Sequence, residues 1–323
     1  MRWKELKAAI LSRGTARMTG LPADGYIARS AAGPGAGGAG SVFFTREGRR
    51  VRLALDPAGN SEVIHRGGGD AVLILDGREY TGKLEPVALH CPRQAYITVS
   101  GSCIFHCRYC PVPGQAGQRK TVDEIIAMVG LVRDRIDAIA ITSGVMTDSE
   151  EEEAYVIEVV RALLPFGIPI GVSIYPTPLT PRRLNEVGVA EVKFNIETAT
   201  PDLFAYLCPG LDRGLIWRVL EESVALFGRG HVFSNVIVGF SETDAEMESC
   251  MRSLAAMGVI PVLRPLSPAA GLKDYPRPTN ERLIRLADMH YRVLIEADLD
   301  PAQSVSMCSA CTGCDLVPGR DFA

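Results

Sequence analysis

From Gln94 to Leu299 the chain alternates short apolar runs with longer amphipathic stretches. Runs at Ala95–Val99, Ala138–Thr142, Ile168–Ile174, Glu191–Ile196, His231–Val238 and Val259–Leu263 have the length of strands. Between them, Val122–Arg133, Glu150–Leu164, Pro181–Val187, Ile216–Phe227, Asp244–Met257 and Asn280–Ala297 carry apolar residues at helical spacing. Thr180 before Pro181, and Thr279 before Asn280, are the expected helix caps. Six strands alternating with six helices predict an α/β chain with a parallel sheet, right-handed at each crossover and curled into a partial (β/α)6 barrel. A doubly wound open sheet produces much the same string, so periodicity leaves both arrangements standing.

The first 90 residues break that rhythm. M-R-W-K-E-L-K-A-A-I-L-S-R has charges among its apolar positions and reads as a short amphipathic helix, not a signal peptide. The glycine-rich run Ala31–Gly40 reads as a flexible loop, because no strand, turn and helix follow it as a phosphate site requires. Alternating segments at Ser41–Thr45, Val51–Leu55 and Ala71–Leu75, broken by Asp56-Pro57, Gly67–Gly69 and Asp76-Gly77, predict a small antiparallel appendage. After Leu299 little period remains, and an irregular tail is expected. The predicted organisation is a strand-containing extension over 1–90, a barrel over 91–300 and a cysteine-bearing tail over 301–323.

Composition narrows the chemistry. With 323 residues, 47% of them hydrophobic, the chain can bury a large core. Its net charge is −4 and its basic residues are scattered, so it has no footprint for nucleic acid. No stretch approaches the ~20 uncharged apolar residues of a membrane span, and a cytoplasmic location is expected. Of nine cysteines, six form two triplets, Cys103/Cys107/Cys110 and Cys308/Cys311/Cys314, while Cys91, Cys208 and Cys250 stand alone. Cysteines a few residues apart on one loop can converge on neighbouring irons.

The first triplet lies in A-Y-I-T-V-S-G-S-C-I-F-H-C-R-Y-C-P-V-P, directly after the first barrel strand. Its Cys-x3-Cys-x2-Cys spacing resembles the motif of the radical S-adenosylmethionine (SAM) superfamily. The resemblance implies that Cys103, Cys107 and Cys110 hold three irons of a [4Fe–4S] cluster, and that SAM chelates the fourth and is split to a 5′-deoxyadenosyl radical. A zinc knuckle that adds His106 is the alternative. The resemblance further implies Tyr109 against the adenine, Ser143 and Gly144 near the SAM amino group, and Asn195 and Glu197 aimed at ribose or substrate. It places Ser234 and Asn235 on the adenine. The Ser143-Gly144 segment lacks the acidic residue many relatives carry there. Arg264, ending the sixth strand, is placed to reach a carboxylate. All lie at carboxyl ends of strands, where barrel sites are built; capping and rim positions are the plainer reading. No catalytic acid or base is singled out.

The second triplet lies in S-V-S-M-C-S-A-C-T-G-C-D-L-V-P-G-R-D. It resembles the first three ligands of a bacterial ferredoxin loop, with Pro318 where that loop has its fourth cysteine. A fourth ligand then comes from elsewhere, with Ser304, Ser306, Arg320 and Cys91 as candidates, or one iron is kept free. Structural zinc is again the alternative. Cys208 and Cys250 read as buried apolar groups, and His65, His90, His231 and His290 follow no ligand spacing. The lead-in H-C-P-R-Q-A-Y-I-T-V, the segment I-T-S-G-V and the terminal triplet resemble the biotin-synthase-related group, most closely a subunit of the two-component lipoyl synthases. That resemblance implies two [4Fe–4S] clusters and SAM as cofactors, and sulfur insertion into an octanoyl chain on a lipoyl carrier domain. It also implies a second radical SAM subunit as partner and a ferredoxin or flavodoxin as electron donor. The rivals are a maturation or methyl-transfer enzyme with an electron-relay cluster, and a non-enzymatic iron–sulfur carrier or zinc scaffold.

Overall fold

Helix α1 (Trp3–Arg13) and strands β1 (Thr15–Gly20), β2 (Ser41–Arg46), β3 (Arg49–Leu55), β4 (Ser61–Gly67), β5 (Asp70–Leu75) and β6 (Arg78–Leu84) open the computed structural model, which describes residues 1–29, 38–268 and 270–322. The six strands close into a barrel in the order β1-β3-β2-β6-β5-β4. Closure leaves no open sheet edge. The hairpins are antiparallel as expected, but β1 runs parallel to both β3 and β4, which corrects the expectation of a purely antiparallel appendage. The chain enters β1 from a helix and leaves by a long connection, so no tight turn dictates its direction. Strands β1, β4 and β6 were not evident from the apolar pattern; only Ala16 of β1 is fully buried. Most of the predicted glycine loop, residues 31–37, lies outside the described residues.

The second sheet contains β7 (His90–Cys91), β8 (Gln94–Thr98), β9 (Ala138–Thr142), β10 (Ile170–Ser173), β11 (Glu191–Lys193), β12 (Val232–Val238) and β13 (Ile260–Pro265), ordered β13-β12-β11-β10-β9-β8-β7. From β8 to β13 every pairing is parallel, and β7 adds a short antiparallel edge. Strands that neighbour in sequence order, without the reversal of a doubly wound sheet, give the curled partial barrel. The outer layer holds α2 (Val122–Val132), α3 (Ser149–Leu163), α4 (Thr180–Glu186), α5 (Pro201–Leu207), α6 (Arg213–Phe227), α7 (Asp244–Met257) and α8 (Asn280–Glu296). Alternation explains the layering: Ile139 and Ile141 are fully buried on one face of β9, while the small Ala140 pairs with Tyr96 on the other.

Helix starts follow from side-chain caps. Thr121 with Glu124 and Thr243 with Glu246 form capping boxes, and Thr279 caps α8 as expected. Thr180 does not cap. It is the first residue of α4, and its hydroxyl donates with that of Thr177 to Glu153, a fully buried carboxylate that needs donors.

The tail is mostly irregular, as expected, and within it Met307–Cys311 form a one-turn helix, α9. Polar anchors that lie far away in sequence hold it. Glu191 accepts from the backbone amides of Val305 and Ser306, both at 2.9 Å, and from the hydroxyls of Ser306 (2.6 Å) and Ser304 (3.2 Å). Gln94 donates to the Met307 carbonyl at 3.0 Å. From α1, the buried Lys7 pairs with Asp321 at 2.7 Å and donates to the Thr312 carbonyl, while the Trp3 indole donates to Asp321 at 2.8 Å. Gly171 lets α9 approach β10, since a Cβ there would meet the Ser306 hydroxyl and lie 3.0 Å from Met307 Cγ. Among the described residues no helix is long and apolar enough to cross a membrane.

Candidate active site

The loop with Cys103, Cys107 and Cys110 leaves the carboxyl end of β8 and is held by the segment after β9. The Ile104 amide donates to the Val145 carbonyl at 2.7 Å, and the Val145 amide donates to Cys103 Sγ at 3.4 Å. Gly144 lies against this loop so tightly that a Cβ would collide with the Ser102 carbonyl and sit 3.2 Å from Cys103 Cβ. Ser143 Oγ accepts from the Ser100 amide at 2.9 Å and donates to Glu152 at 2.5 Å. Their contacts thus place Ser143 and Gly144 as supports of the cysteine loop. Glu152, on α3, is a buried carboxylate that also accepts from Arg119 at 2.9 Å and from Ser100 at 2.7 Å.

On the other side of the loop, the Arg108 amide donates to the Leu207 carbonyl of α5 at 2.9 Å. This helix was not expected from the sequence, and it brings Cys208 to the site. Hydrogen bonds from Cys208 and Tyr109 hold the Cys107 thiol below its usual range, whereas burial pushes Cys110 up to about 11.

Tyr109 turns inward, its ring 5.9 Å from that of Phe240 and its hydroxyl close enough to Glu197 to act on that carboxyl. Enclosure by protein pushes the Glu197 carboxyl up to about 7 despite its bonds to Tyr109 and Asn195. Asn195 Oδ1 in turn accepts from the Asn235 amide at 3.1 Å, and Asn235 Oδ1 is buried without a hydrogen-bond partner. An orphaned acceptor beside a carboxyl of near-neutral pKa is what a bound polar cofactor or substrate would complete. Ser234 must be corrected. Alternation sends it to the opposite face from Asn235, where it is fully buried and accepts from the Ile196 amide at 3.0 Å, so it has no surface for an adenine.

Lys193, two residues before Asn195, meets the second triplet. Its buried ammonium donates to Cys308 Sγ at 3.4 Å. Burial alone would lower its pKa, but the Cys308 sulfur and Tyr96 outweigh that and raise it. Arg264 also turns toward this triplet, with Cys308 and Cys314 outweighing its desolvation and Asp315 at 3.9 Å as the carboxylate it reaches. Burial and then the cations Arg52, Arg264 and Lys193 depress His90 to about 3, leaving it neutral.

Three thiols on each loop, with an amide donor on one and an ammonium on the other, suit the anionic sulfurs of iron–sulfur clusters. Among the described residues, no three Cys, His, Asp or Glu side chains converge as a single metal ion requires. One tetrahedral zinc needs its sulfurs about 4 Å apart, whereas a cubane sends each thiolate to its own iron. His106 is therefore not gathered with the three thiols into the zinc knuckle considered from the sequence.

Residues 97–254, from β8 through most of α7, match the family model described as the Radical SAM superfamily. None of the curated proteins matches the chain. Among solved structures, the FeFe-hydrogenase maturase HydG from Carboxydothermus hydrogenoformans is similar, with TM-score 0.53 and 16% identity over 63% of this chain and 52% of that one. Methylornithine synthase (PylB) aligns with TM-score 0.51 and 15% identity over 65% of this chain and 70% of that one. Streptococcus suis SuiB bound to S-adenosylmethionine aligns with TM-score 0.53 and 12% identity over 65% of this chain and 49% of that one. The chain spans about half the length of the HydG structures, and at these identities the likeness concerns the fold. Family match and curled parallel sheet agree over residues 97–254, the part of the chain that matches the radical SAM superfamily.

Proposed function

We propose that this radical SAM enzyme inserts sulfur into an octanoyl chain carried by a lipoyl domain, with Cys308, Cys311 and Cys314 holding a second iron–sulfur cluster as the sulfur source. One observation carries the reading: the second triplet opens into the same barrel interior as the first. Lys193 touches Cys308, and Glu197, four residues further along the same chain segment, interacts with Tyr109 of the first loop.

When bound, a [4Fe–4S] cluster with SAM supplies a 5′-deoxyadenosyl radical that takes hydrogen from unactivated carbon. The residues of the chain do the rest. Cys103, Cys107 and Cys110 would hold that cluster, and Tyr109, Asn195, Glu197 and Asn235 would position polar groups above it. With a pKa of about 7, Glu197 can donate or accept a proton at its Oε atoms. Lys193 and Arg264 would balance the anionic sulfurs at the inner end. An octanoylated lipoyl carrier as substrate, a second radical SAM subunit, and a ferredoxin or flavodoxin donor belong to the same proposal.

The test reconstitutes the protein with 34S-sulfide, adds SAM, reductant and an octanoyl-lysine peptide, and follows the peptide by mass spectrometry. Labelled sulfur in the product supports the reading. Deoxyadenosine formed with no thiolated product, and a second cluster intact afterwards, would overturn it in favour of an electron relay.

A further inference from the structure

We propose that Cys91 is a fourth cysteine ligand of the iron–sulfur cluster held by Cys308, Cys311 and Cys314, so that this cluster ties the tail to the hairpin at the start of the α/β sheet. The inference rests on the second cluster proposed above and extends it to a residue more than two hundred positions away in sequence.

Packing makes the first argument. Cys91 and Cys311 pack together, and with Phe43 they form a buried cluster of their own, apart from the main core, against Val87 and Tyr96. Cys91 is 1% exposed. The ferredoxin-like spacing of the tail lacks its fourth cysteine, since Pro318 occupies that position. The fold brings a thiol from elsewhere against Cys311, within charge range of Cys308.

Charge makes the second. Lys193, Arg264 and Arg52 all act on these sulfurs, and Asp315, the buried carboxylate nearest Arg264, accepts no hydrogen bond at either oxygen. Buried cations need anions of matching charge. Each thiolate bound to a cluster supplies one negative charge, and a fourth brings the site closer to balance than three.

Backbone conformation makes the third. Among the described residues, nine non-glycine residues have left-handed φ, and four of them flank these cysteines: His90, Arg93, Met307 and Thr312. Such conformations are costly and persist where surrounding structure imposes them. Here they aim Cys91 and the α9 cysteines at one another. The hairpin is also pinned from the N-terminal barrel: Arg52 lies 2.9 Å from His90 Nε2, and its backbone amide donates to the Gly313 carbonyl at 2.6 Å.

The test uses the full chain with Cys103→Ala, Cys107→Ala and Cys110→Ala, reconstituted anaerobically with iron and sulfide so that only the second site binds iron. Adding Cys91→Ser should shift the EPR g-values of the reduced cluster and give one iron the Mössbauer signature of an oxygen ligand. Adding Cys91→Ala should lose iron on desalting that the parent retains. Cys250→Ala, a buried cysteine on α7, should change neither, and circular dichroism checks that each variant is folded. Iron bound with spectra indifferent to both Cys91 variants overturns the ligand assignment alone. No iron in the parent overturns the second cluster and this inference with it.

Discussion

Lys193 and Glu197 stand four residues apart on one segment, and each meets a different group of cysteines: the ammonium lies 3.4 Å from Cys308 Sγ, while Tyr109, beside Cys110, acts on the carboxyl. The first contact gives a prediction for Lys193→Met. Hydrogen bonds and positive charge near cluster sulfur favour the reduced state. Their loss should lower the reduction potential of the second cluster by on the order of 59 mV, a tenfold step in a one-electron couple. A redox titration followed by EPR, in protein without the first triplet, measures this. An unchanged potential would mean that the ammonium does not touch the cluster.

Glu191→Ala should release the tail from the sheet. The carboxylate receives four hydrogen bonds from Ser304, Val305 and Ser306, and bonds to charged groups are worth ~1.5–3 kcal/mol each. The expected result is loss of the iron bound at Cys308, Cys311 and Cys314, with deoxyadenosine formation by the first site retained. Equal loss of both activities would argue against a separate anchoring role.

Gly144→Ala acts at the opposite end. The added methyl cannot coexist with the Ser102 carbonyl, so the Cys103 loop must shift, at a cost of typically 1–3 kcal/mol for overpacking. Iron at the first site and SAM cleavage should fall together, while iron at the second site persists. Full SAM cleavage by this variant would show that the loop tolerates displacement.

Much of the barrel was legible because its signals are local. Ala138–Thr142 and Asp244–Met257 were read to their end residues, one from a short apolar run, the other from helical period. The cysteine triplets were legible from spacing alone. What escaped reading depends on contacts distant in sequence. Strand β1 has weak alternation and pairs in parallel with strands reached only after the chain turns back. Helix α9 is one turn long and exists because Glu191, Gln94 and Lys7 hold its flanks. Ser234 and Asn235 could have been separated in advance, since neighbours on a strand face opposite sides. Cys91 is one of four fourth-ligand candidates in the sequence, and only the folded hairpin sets it against Cys311.

His290 supplies a pH prediction far from either cysteine group. It lies on α8, 3% exposed, and burial pulls its pKa from 6.5 down to about 4, with only the Pro261 carbonyl opposing the shift. Between those values the unfolded chain holds a proton on His290 that the folded chain does not. Stability is therefore fully present above about 6.5 and falls as pH drops toward 4, by roughly 3 kcal/mol if the whole shift is expressed. His290→Leu has no such proton to take up. Its melting temperature relative to the parent should rise as pH is lowered from 7.5 to 5, read by thermal unfolding of both proteins in the same buffers. A constant difference across that range would mean that the imidazole is already charged, or already hydrated, in the native protein.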